Sequence, residues 1–200
     1  MSVDSRPRRG RPGYDREQVL AAAVQLFNEQ GYDATSVADV ATRLGLTKSA
    51  LYHHFASKEE LLRRALDDAL DALEDVLDRT LARPGTASDH LRDVVRGAVA
   101  VLTERQPSVT LLLRVRGNTA VEQEALRRRR AFDQRVTALV EAAQQEGLVR
   151  GDIDAAVATR LVFGMVNSLV EWYRPDGPVD PDELGRDVLA VVLEGLQSPR

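Results

Sequence analysis

Two adjacent histidines, His53 and His54, are the residues of this chain with the clearest capacity for chemistry, since imidazole serves both as a metal ligand and in acid–base catalysis. They stand in the stretch GLTKSALYHHF, residues 45–55. Neighbouring helical side chains point about 100° apart, so the two rings cannot face one ion. The positions four residues away hold no good metal ligand: Ser49, Ala50, Ser57 and Lys58. No carboxylate or nucleophile is placed to orient either ring, so we predict neither a metal site nor a catalytic dyad.

The composition narrows the class of protein further. The chain has 200 residues and no cysteine, which excludes disulfides and thiolate metal sites. It begins without the apolar segment of a secretory signal, and no run reaches the roughly 18 apolar residues of a membrane span. Nucleophile elbows and phosphate loops are also missing from the sequence. We therefore expect a cytoplasmic protein of one domain, or of a small module on a larger one, with no cofactor, no membrane contact and no enzymatic activity.

The charge is unevenly distributed along the chain. Residues 1–64 hold ten basic and eight acidic side chains, a formal charge of +2, whereas residues 65–200 carry −6. Any contact with nucleic acid should therefore lie in the first part. Residues 1–13 are rich in arginine, proline and glycine, and we interpret them as a flexible basic arm. That arm is either a solubilising tail or a source of extra phosphate contacts.

Helical periodicity extends through the rest of the chain, and no strand pattern interrupts it. Capping boxes are predicted at Asp15 with Gln18 and at Ser36 with Asp39, a cap at Thr47, and another at Ser57 with Glu60. The predicted fold class is all-α with about nine helices. The later helices are expected at residues 89–105, 108–116, 119–146, 154–173 and 181–197.

The second and third helices have the layout of a helix-turn-helix, whose second helix enters the DNA major groove. A short helix ends at Gly45, and another begins at Thr47 and runs through Phe55. On a helical wheel Leu51 and Phe55 lie about 40° apart and form the core-facing stripe. His53 points away from that stripe, so the outer face carries hydroxyls, imidazoles, a methyl group and Lys48.

This outer face lacks fixed negative charge and can therefore approach DNA. Tyr52 and the histidines can donate hydrogen bonds to phosphate oxygens. Lys48 can reach guanine O6 and N7, and Ala50 can contact a thymine methyl.

The segment from Tyr14 to about Leu73 resembles the DNA-binding domain of the tetracycline-repressor (TetR) family of bacterial transcription regulators. The resemblance rests on LFNEQGYDATSVADVATRLGLTKSALYHHFASKEELL. It implies phosphate contacts for Ser36 and Lys58 at helix N-termini. It also implies that the start of the recognition helix reads bases, through Thr47, Lys48, Ser49 and Ala50. The end of that helix would contact both phosphates and bases, through Tyr52, His53 and His54. The predicted domains are residues 14–58, which bind DNA, and residues 59–200, which bind a ligand and dimerise.

The later helices carry the ligand and dimer predictions. Residues 154–173 are apolar nearly all round, which indicates a helix buried on more than one side, and the last helix has a second apolar stripe. In the resembled family two such helices per subunit form a homodimer interface. A polar stripe (Arg160, Gly164, Asn167 and Glu171) is either solvent-facing or part of a pocket. The predicted ligand-binding residues are Leu112, Arg116, Phe132, Phe163, Met165, Asn167, Glu171 and Trp172.

The sequence leaves two interpretations of the arginine-rich helix and its possible effector. The C-terminal stretch GMVNSLVEWYRPDGPVDPDELGRDVLAVVLEGL is similar to the C-terminal part of TetR-family regulators of fatty-acid, sterol and phenylacetate breakdown. Those regulators respond to acyl-CoA thioesters, so the resemblance implies that Arg114, Arg116 and the run Arg127 to Arg130 could meet CoA phosphates. Arginines on four sides of a helix more often form a solvated face with partners one turn away. The alternative function is a helical ligand-binding module, or an enzyme, that does not act on DNA.

Overall fold

The computed structural model describes residues 14–196, with side chains to residue 193, and forms nine helices and no strand over that range. The all-α prediction is confirmed. The nine helices are α1 (Arg16–Gln30), α2 (Val37–Leu44), α3 (Lys48–His54), α4 (Lys58–Leu81), α5 (Ala87–Glu104), α6 (Gln106–Arg114), α7 (Ala120–Gln145), α8 (Ala155–Trp172) and α9 (Pro181–Leu196). No helix in this range combines the length and the apolar composition that crossing a bilayer requires. The predicted arm, residues 1–13, lies outside the described residues.

The chain divides into two compact units, one ending at Leu61 and the other beginning at Leu62, so the division falls within α4. The predicted boundary between residues 58 and 59 stays a prediction. In the first unit α1, α2 and α3 meet around side chains that are almost fully buried. These are Val19, Ala23, Phe27, Val40, Leu51 and Phe55.

The caps expected from the sequence fix where the first helices begin. Asp15 with Gln18 and Ser36 with Asp39 form complete capping boxes, in which each N-cap side chain accepts from a backbone N–H and its partner bonds back. Ser57 accepts from the Glu60 N–H at the start of α4. These local predictions are confirmed.

The helix predicted at residues 108–116 spans Gln106–Arg114, and two other predicted helix ends are wrong for a local reason. The fifth helix begins at Ala87, two residues early, because Thr86 and Asp89 form a capping box inside the predicted break. The third helix ends at His54, because Phe55 is already extended (φ −140°, ψ 130°) when its N–H donates to Leu51 O. Phe55 nevertheless remains in the core.

In the second unit α5 is the central helix and packs against α7, α8 and α9. Its buried residues include Val94, Val95 and Leu102. α4 approaches α5 closely at Gly97, where an added Cβ would lie 2.4 Å from Val76 Cγ1. α8 turns Val162, Val166 and Leu169 toward the core and leaves its opposite side exposed in the single chain.

Candidate DNA interface and effector groove

The recognition-helix candidate α3 presents one face to solvent because the other is anchored. Leu51 and Phe55 are 0% and 2% exposed, as the helical wheel predicts. The outer side is formed by the predicted contact residues: Thr47, Lys48, Ser49, Tyr52 and His53 are exposed, and Ala50 and His54 are half-buried. The structure thus brings the predicted base-reading and phosphate-contacting residues of α3 onto one continuous surface.

The turn before α3 sets the angle at which that surface is presented. Gly45 adopts φ 65° and ψ 27°, a left-handed conformation that costs a residue with a Cβ about 1 kcal/mol. Its N–H donates to carbonyls of the last turn of α2, and the Leu46 N–H donates to Ala41 O at 2.9 Å. Thr47 then accepts from the Ala50 N–H at 3.1 Å and starts the new helix. A three-residue stretch, residues 45–47, therefore ends one helix and begins the next.

The polar groups on α3 are placed for hydrogen bonding and not for metal binding. Lys48 Nζ lies 6.0 Å from the centre of the Tyr52 ring, one helical turn away, which holds the ammonium over the outer face. Tyr52 is 46% exposed, so its hydroxyl is accessible. Nowhere in residues 14–196 do three His, Cys, Asp or Glu side chains cluster as metal ligands would.

Ser36, a predicted phosphate contact, already has a partner. Its hydroxyl donates to Asp39 Oδ2 at 2.7 Å and accepts from the Asp39 N–H at 3.2 Å. The hydrogen bond from Ser36 lowers the pKa of Asp39, so the carboxylate stays charged. A phosphate approaching Ser36 would have to displace this bond and would meet a negative charge. The phosphate role of Ser36 stays a prediction, and the observed role is helix capping.

Lys58 also has a structural task that the sequence did not reveal. Its ammonium donates to Tyr32 O at 2.8 Å and to Thr35 O at 2.9 Å, and it lies 4.1 Å from the centre of the Tyr32 ring. These contacts fasten the α1–α2 turn, residues 31–36, to the first residue of α4. An ammonium has three protons, so one remains for a phosphate. The predicted DNA contact and the observed clamp are therefore compatible.

The remaining cations of the first unit are held by carboxylates. Arg16 bonds to Glu60 at 2.6 Å and lies 4.7 Å above the centre of the Phe55 ring. Arg43 bonds to Glu29 at 2.7 Å, and this hydrogen bond lowers the pKa of Glu29. Residues 14–61 contain four basic and seven acidic side chains, a formal charge of −3. The unit that carries α3 is thus acidic in its described part.

The predicted ligand-binding residues of the second unit differ in burial, and their role stays a prediction. Three are buried: Leu112, Phe132 and Phe163. The others are exposed or half-buried: Arg116, Met165, Asn167, Glu171 and Trp172. Phe132 and Phe163 meet edge to face with ring centres 5.5 Å apart and so join α7 to α8. An apolar ligand reaching them would have to part these rings.

A groove between α7 and α8 offers polar contacts to a ligand. It encloses about 390 Å³. Its lining includes the guanidiniums of Arg130 and Arg160, a half-buried Asp133, and the hydroxyls of Thr137 and Thr159, which lie 3.3 Å apart. Burial raises the pKa of Asp133 despite nearby positive charge. Within the described part of the chain, Arg130 and Arg160 take no part in any ion pair, and the groove also holds the carboxylates of Asp133 and Glu141, so an anionic ligand would meet two cations and two carboxylates.

Comparison with known proteins identifies the family. Residues 19–65 match the description "Bacterial regulatory proteins, tetR family", and residues 84–196 match "Tetracyclin repressor-like, C-terminal domain". The HTH-type transcriptional repressor KstR2 of Rhodococcus jostii is 33% identical over 194 residues, which span 92% of each protein. The chain belongs to the tetR family. It is accordingly a DNA-binding transcription regulator and not an enzyme, as predicted.

Solved structures of other TetR regulators agree with this fold. A TetR-family member of Streptomyces coelicolor, SCO3833, is 52% identical with a TM-score of 0.84 and 90% of each chain covered. AibR, solved with isovaleryl coenzyme A and operator DNA, is 24% identical with a TM-score of 0.75, covering 92% of this chain and 99% of that one. The likeness to AibR shows a common fold.

Two features of this TetR regulator escaped sequence reasoning because they join residues far apart in the chain. Thr137 and Thr159 meet only when α7 and α8 pack side by side. Arg128, expected on a solvated face, instead hydrogen-bonds three carboxylates of α4 and is 18% exposed. The neighbouring Arg127 does pair along its own helix, with Glu124 three residues earlier.

Proposed function

We propose that this TetR regulator is a repressor that binds a palindromic operator as a homodimer and leaves it when a small molecule binds the second unit. The outer face of α3 carries the proposal. It is anchored from below by two buried residues, it has no carboxylate, and it offers hydroxyls, imidazoles and an ammonium to DNA. Such a regulator acts in the cytoplasm, where its operator lies.

The face divides into two parts with different tasks. Thr47, Lys48, Ser49 and Ala50, at the start of α3, would enter the major groove and read base edges. Tyr52, His53 and His54 would grip mainly the phosphate backbone, together with the third proton of Lys58.

Two substitutions separate these tasks. Tyr52→Ala removes a phosphate donor, so we expect weaker binding to every DNA sequence. Lys48→Ala removes a base contact, so we expect relaxed preference at one or two positions, equivalent to about 1–3 kcal/mol of lost discrimination. Selection from random DNA, followed by binding measurements at several salt concentrations, reports both. Unchanged affinity and unchanged preference in both variants would refute the assignment of this face.

The exposed side of α8 supports the homodimer. Val157, Leu161, Met165 and Trp172 recur at helical spacing and are 44%, 64%, 36% and 51% exposed. Val191 of α9 adds a fifth exposed apolar side chain at 57%. A stripe of this kind is typical of a surface that another protein covers. A second copy fits because a palindromic operator needs two recognition helices about one DNA turn apart.

A matched pair of leucines tests the dimer. Leu161→Glu places a charge in the stripe, so we expect monomers in sedimentation velocity and at least a hundredfold loss of operator affinity, because the two half-sites are no longer joined. Leu148→Glu is the control, since Leu148 is similarly exposed, at 56%, but lies outside the stripe, in the loop that connects α7 to α8 in the chain. A dimer that survives Leu161→Glu would place the interface elsewhere.

For the effector we propose an acyl-CoA thioester. Guanidinium binds phosphate through paired N–H donors, and Arg130 and Arg160 supply two such groups in the α7–α8 groove. Ala138 and Ala156 line the same groove, and an acyl chain that went deeper would have to part the ring pair of Phe132 and Phe163. AibR shows that this fold can take a CoA thioester; the proposal for this chain rests on its own groove.

A panel of acyl-CoA thioesters, the matching free acids and CoA alone tests the effector class. We expect thioesters to release operator DNA in a gel shift, and free acids to be inactive. Arg160→Gln should weaken thioester binding about 10- to 100-fold in calorimetry, the loss of one charge-assisted contact. Arg79→Gln on α4 is the control. If no thioester acted at any chain length, the effector would belong to another class.

A further inference from the structure

The exposed apolar stripe on α8 is symmetric about the middle of that helix. Val157 and Trp172 lie at equal distances on either side of its centre, which falls between residues 164 and 165. Two copies related by a two-fold axis make each contact twice, so a residue from one end of the stripe meets a residue from the other end. A stripe with large apolar side chains at both ends is therefore suited to two α8 helices that run in opposite directions.

A glycine lies at this centre. Gly164 is exposed in the interior of α8, and within the described part of the chain a Cβ built on it would meet no other side chain or helix within 4 Å. Glycine destabilises a helix interior relative to alanine, and nothing around it in the single chain requires its small size. A second helix crossing at this point would require it, because the side chains at the contact set how closely two helix axes approach.

Two opposite charges flank the stripe on the same side of α8. Arg160 and Glu171 are both exposed, and at 100° per residue they lie about 20° apart around the helix. Among the residues that the structure describes, neither side chain takes part in an ion pair. Their midpoint falls between residues 165 and 166, about one residue from the centre of the stripe. The charges and the stripe therefore share one centre of symmetry.

We infer that the two α8 helices of the homodimer cross in opposite directions near Gly164, and that Arg160 of each copy pairs with Glu171 of the partner subunit. The inference rests on the proposed homodimer and adds its orientation and the residues that fix it. In a parallel arrangement each residue would meet its own copy, so two arginines would face each other and repel. Arg160 and Glu171 each lie about 8 Å from the crossing along the helix, so antiparallel helices bring the opposite charges level.

The surroundings of Arg160 leave it able to make this contact. In its own chain it lines the α7–α8 groove with the carboxylates of Asp133 and Glu141. Burial raises the pKa of Asp133 and the charge of Arg160 opposes that rise, but no ion pair joins the two side chains. A guanidinium has five N–H donors, so Arg160 can face the groove and still donate to the partner's Glu171. The contact therefore brings a carboxylate of the partner subunit to the rim of the proposed effector groove.

Charge reversal in a mixture tests the pairing with the full-length protein. Arg160→Glu places two carboxylates at each predicted contact, and Glu171→Arg places two guanidiniums there, so each variant alone should dimerise about tenfold more weakly than the wild type. In a mixed dimer both contacts join a carboxylate to a guanidinium. Native mass spectrometry of differently tagged variants should therefore find about nine-tenths of the dimers mixed, against about one-half for independent assortment. Salt at about 0.5 M should reduce this preference.

A double variant and a matched pair on α4 provide the controls. Arg160→Glu combined with Glu171→Arg in one chain restores opposite charges at each contact, so it should recover the wild-type dimer and show that both substitutions are compatible with folding. Arg79→Glu mixed with Asp75→Arg changes the net charges by the same amounts at an exposed pair on α4, where the two side chains are 72% and 68% exposed. These two variants should assort independently.

The other outcomes overturn the inference. Independent assortment of the Arg160→Glu and Glu171→Arg variants, or a double variant that dimerises as weakly as the single ones, would refute the ion pair. A preference for mixed dimers that the α4 variants share would reflect net charge alone and would refute it too. Leu161→Glu separates this failure from that of the proposed homodimer. If Leu161→Glu is monomeric while the charge variants assort independently, only the pairing and its orientation fail; if Leu161→Glu still dimerises, the proposed α8 interface fails with them.

Discussion

Arg128 is the position where the structure makes the sharpest prediction about stability. Its guanidinium, 18% exposed, makes four hydrogen bonds of 2.6 to 3.1 Å to Asp67, Asp71 and Glu74, which follow one face of α4. The hydrogen bond to Glu74 is the largest of the influences that raise its pKa far above the ordinary value. Replacing Arg128 by Met keeps most of the apolar stem and removes the one cation that hydrogen-bonds all three carboxylates.

The expected loss lies between two limits. Breaking a fully buried ion pair costs about 3–5 kcal/mol, and an exposed pair contributes about 0.2–1 kcal/mol. Asp67 and Glu74 are 36% and 33% exposed and Asp71 is 69% exposed, so solvent screens part of the interaction. We expect Arg128→Met to lower the free energy of unfolding by about 2 kcal/mol, and Glu74→Gln to be coupled to it by about 1 kcal/mol in a double-mutant cycle.

The neighbouring arginine provides the control. Arg127 is 64% exposed and pairs with Glu124 on its own helix, so Arg127→Met should cost no more than about 0.5 kcal/mol. Urea unfolding of both variants measures the difference. Equal losses in the two variants would refute the claim that the α4 carboxylates depend on Arg128.

The stability difference between the wild type and Arg128→Met should also depend on pH, and its direction follows from Asp67. Burial raises the pKa of Asp67, and Arg128 opposes that rise. Without Arg128 the folded-state pKa of Asp67 rises further, so protonation favours the folded variant more than the folded wild type. The gap between the two proteins is therefore largest near pH 7 and narrows as the pH falls through the raised pKa of Asp67.

Three further predictions concern close packing, the clamp and a buried acid. Gly97→Ala brings a methyl group to 2.4 Å from Val76 Cγ1 and should cost about 1–3 kcal/mol, whereas Gly151→Ala, with open space around it, should stay within about 0.5 kcal/mol; urea unfolding compares them. Lys58→Met removes both hydrogen bonds to the α1–α2 turn and should cost about 1–3 kcal/mol, with faster amide exchange in that turn; unchanged exchange would refute the clamp. Burial raises the pKa of Asp133, so Asp133→Asn should stabilise the protein by up to about 1 kcal/mol at pH 7, and this gain should vanish as the pH falls through the raised pKa.

The DNA-binding part could be predicted from the sequence because its determinants are local. A capping box requires residues three apart, an amphipathic helix requires neighbours three and four apart, and the α2–α3 turn requires one glycine. The helical wheel therefore predicted that Leu51 and Phe55 are buried and that His53 is exposed. The roles of Ser36 and Lys58 were incomplete, since the sequence did not show that the first is already bonded to Asp39 and the second to carbonyls more than twenty residues earlier.

The second unit shows what the sequence alone could not determine. The periodicity of α8 indicated an apolar surface all round, and only the packing of α5 and α7 against it decided that Val162 is buried while Leu161 is exposed. Four consecutive arginines look alike in the sequence, yet within the described residues Arg128 is the one of the four that hydrogen-bonds the carboxylates of α4. Helix formation depends on neighbours along the chain, whereas ion pairs and grooves depend on which helices lie side by side. The sequence by itself therefore determined the helices, the turn and the DNA-facing side of α3, and the tertiary structure decided the partner of Arg128 and the lining of the α7–α8 groove.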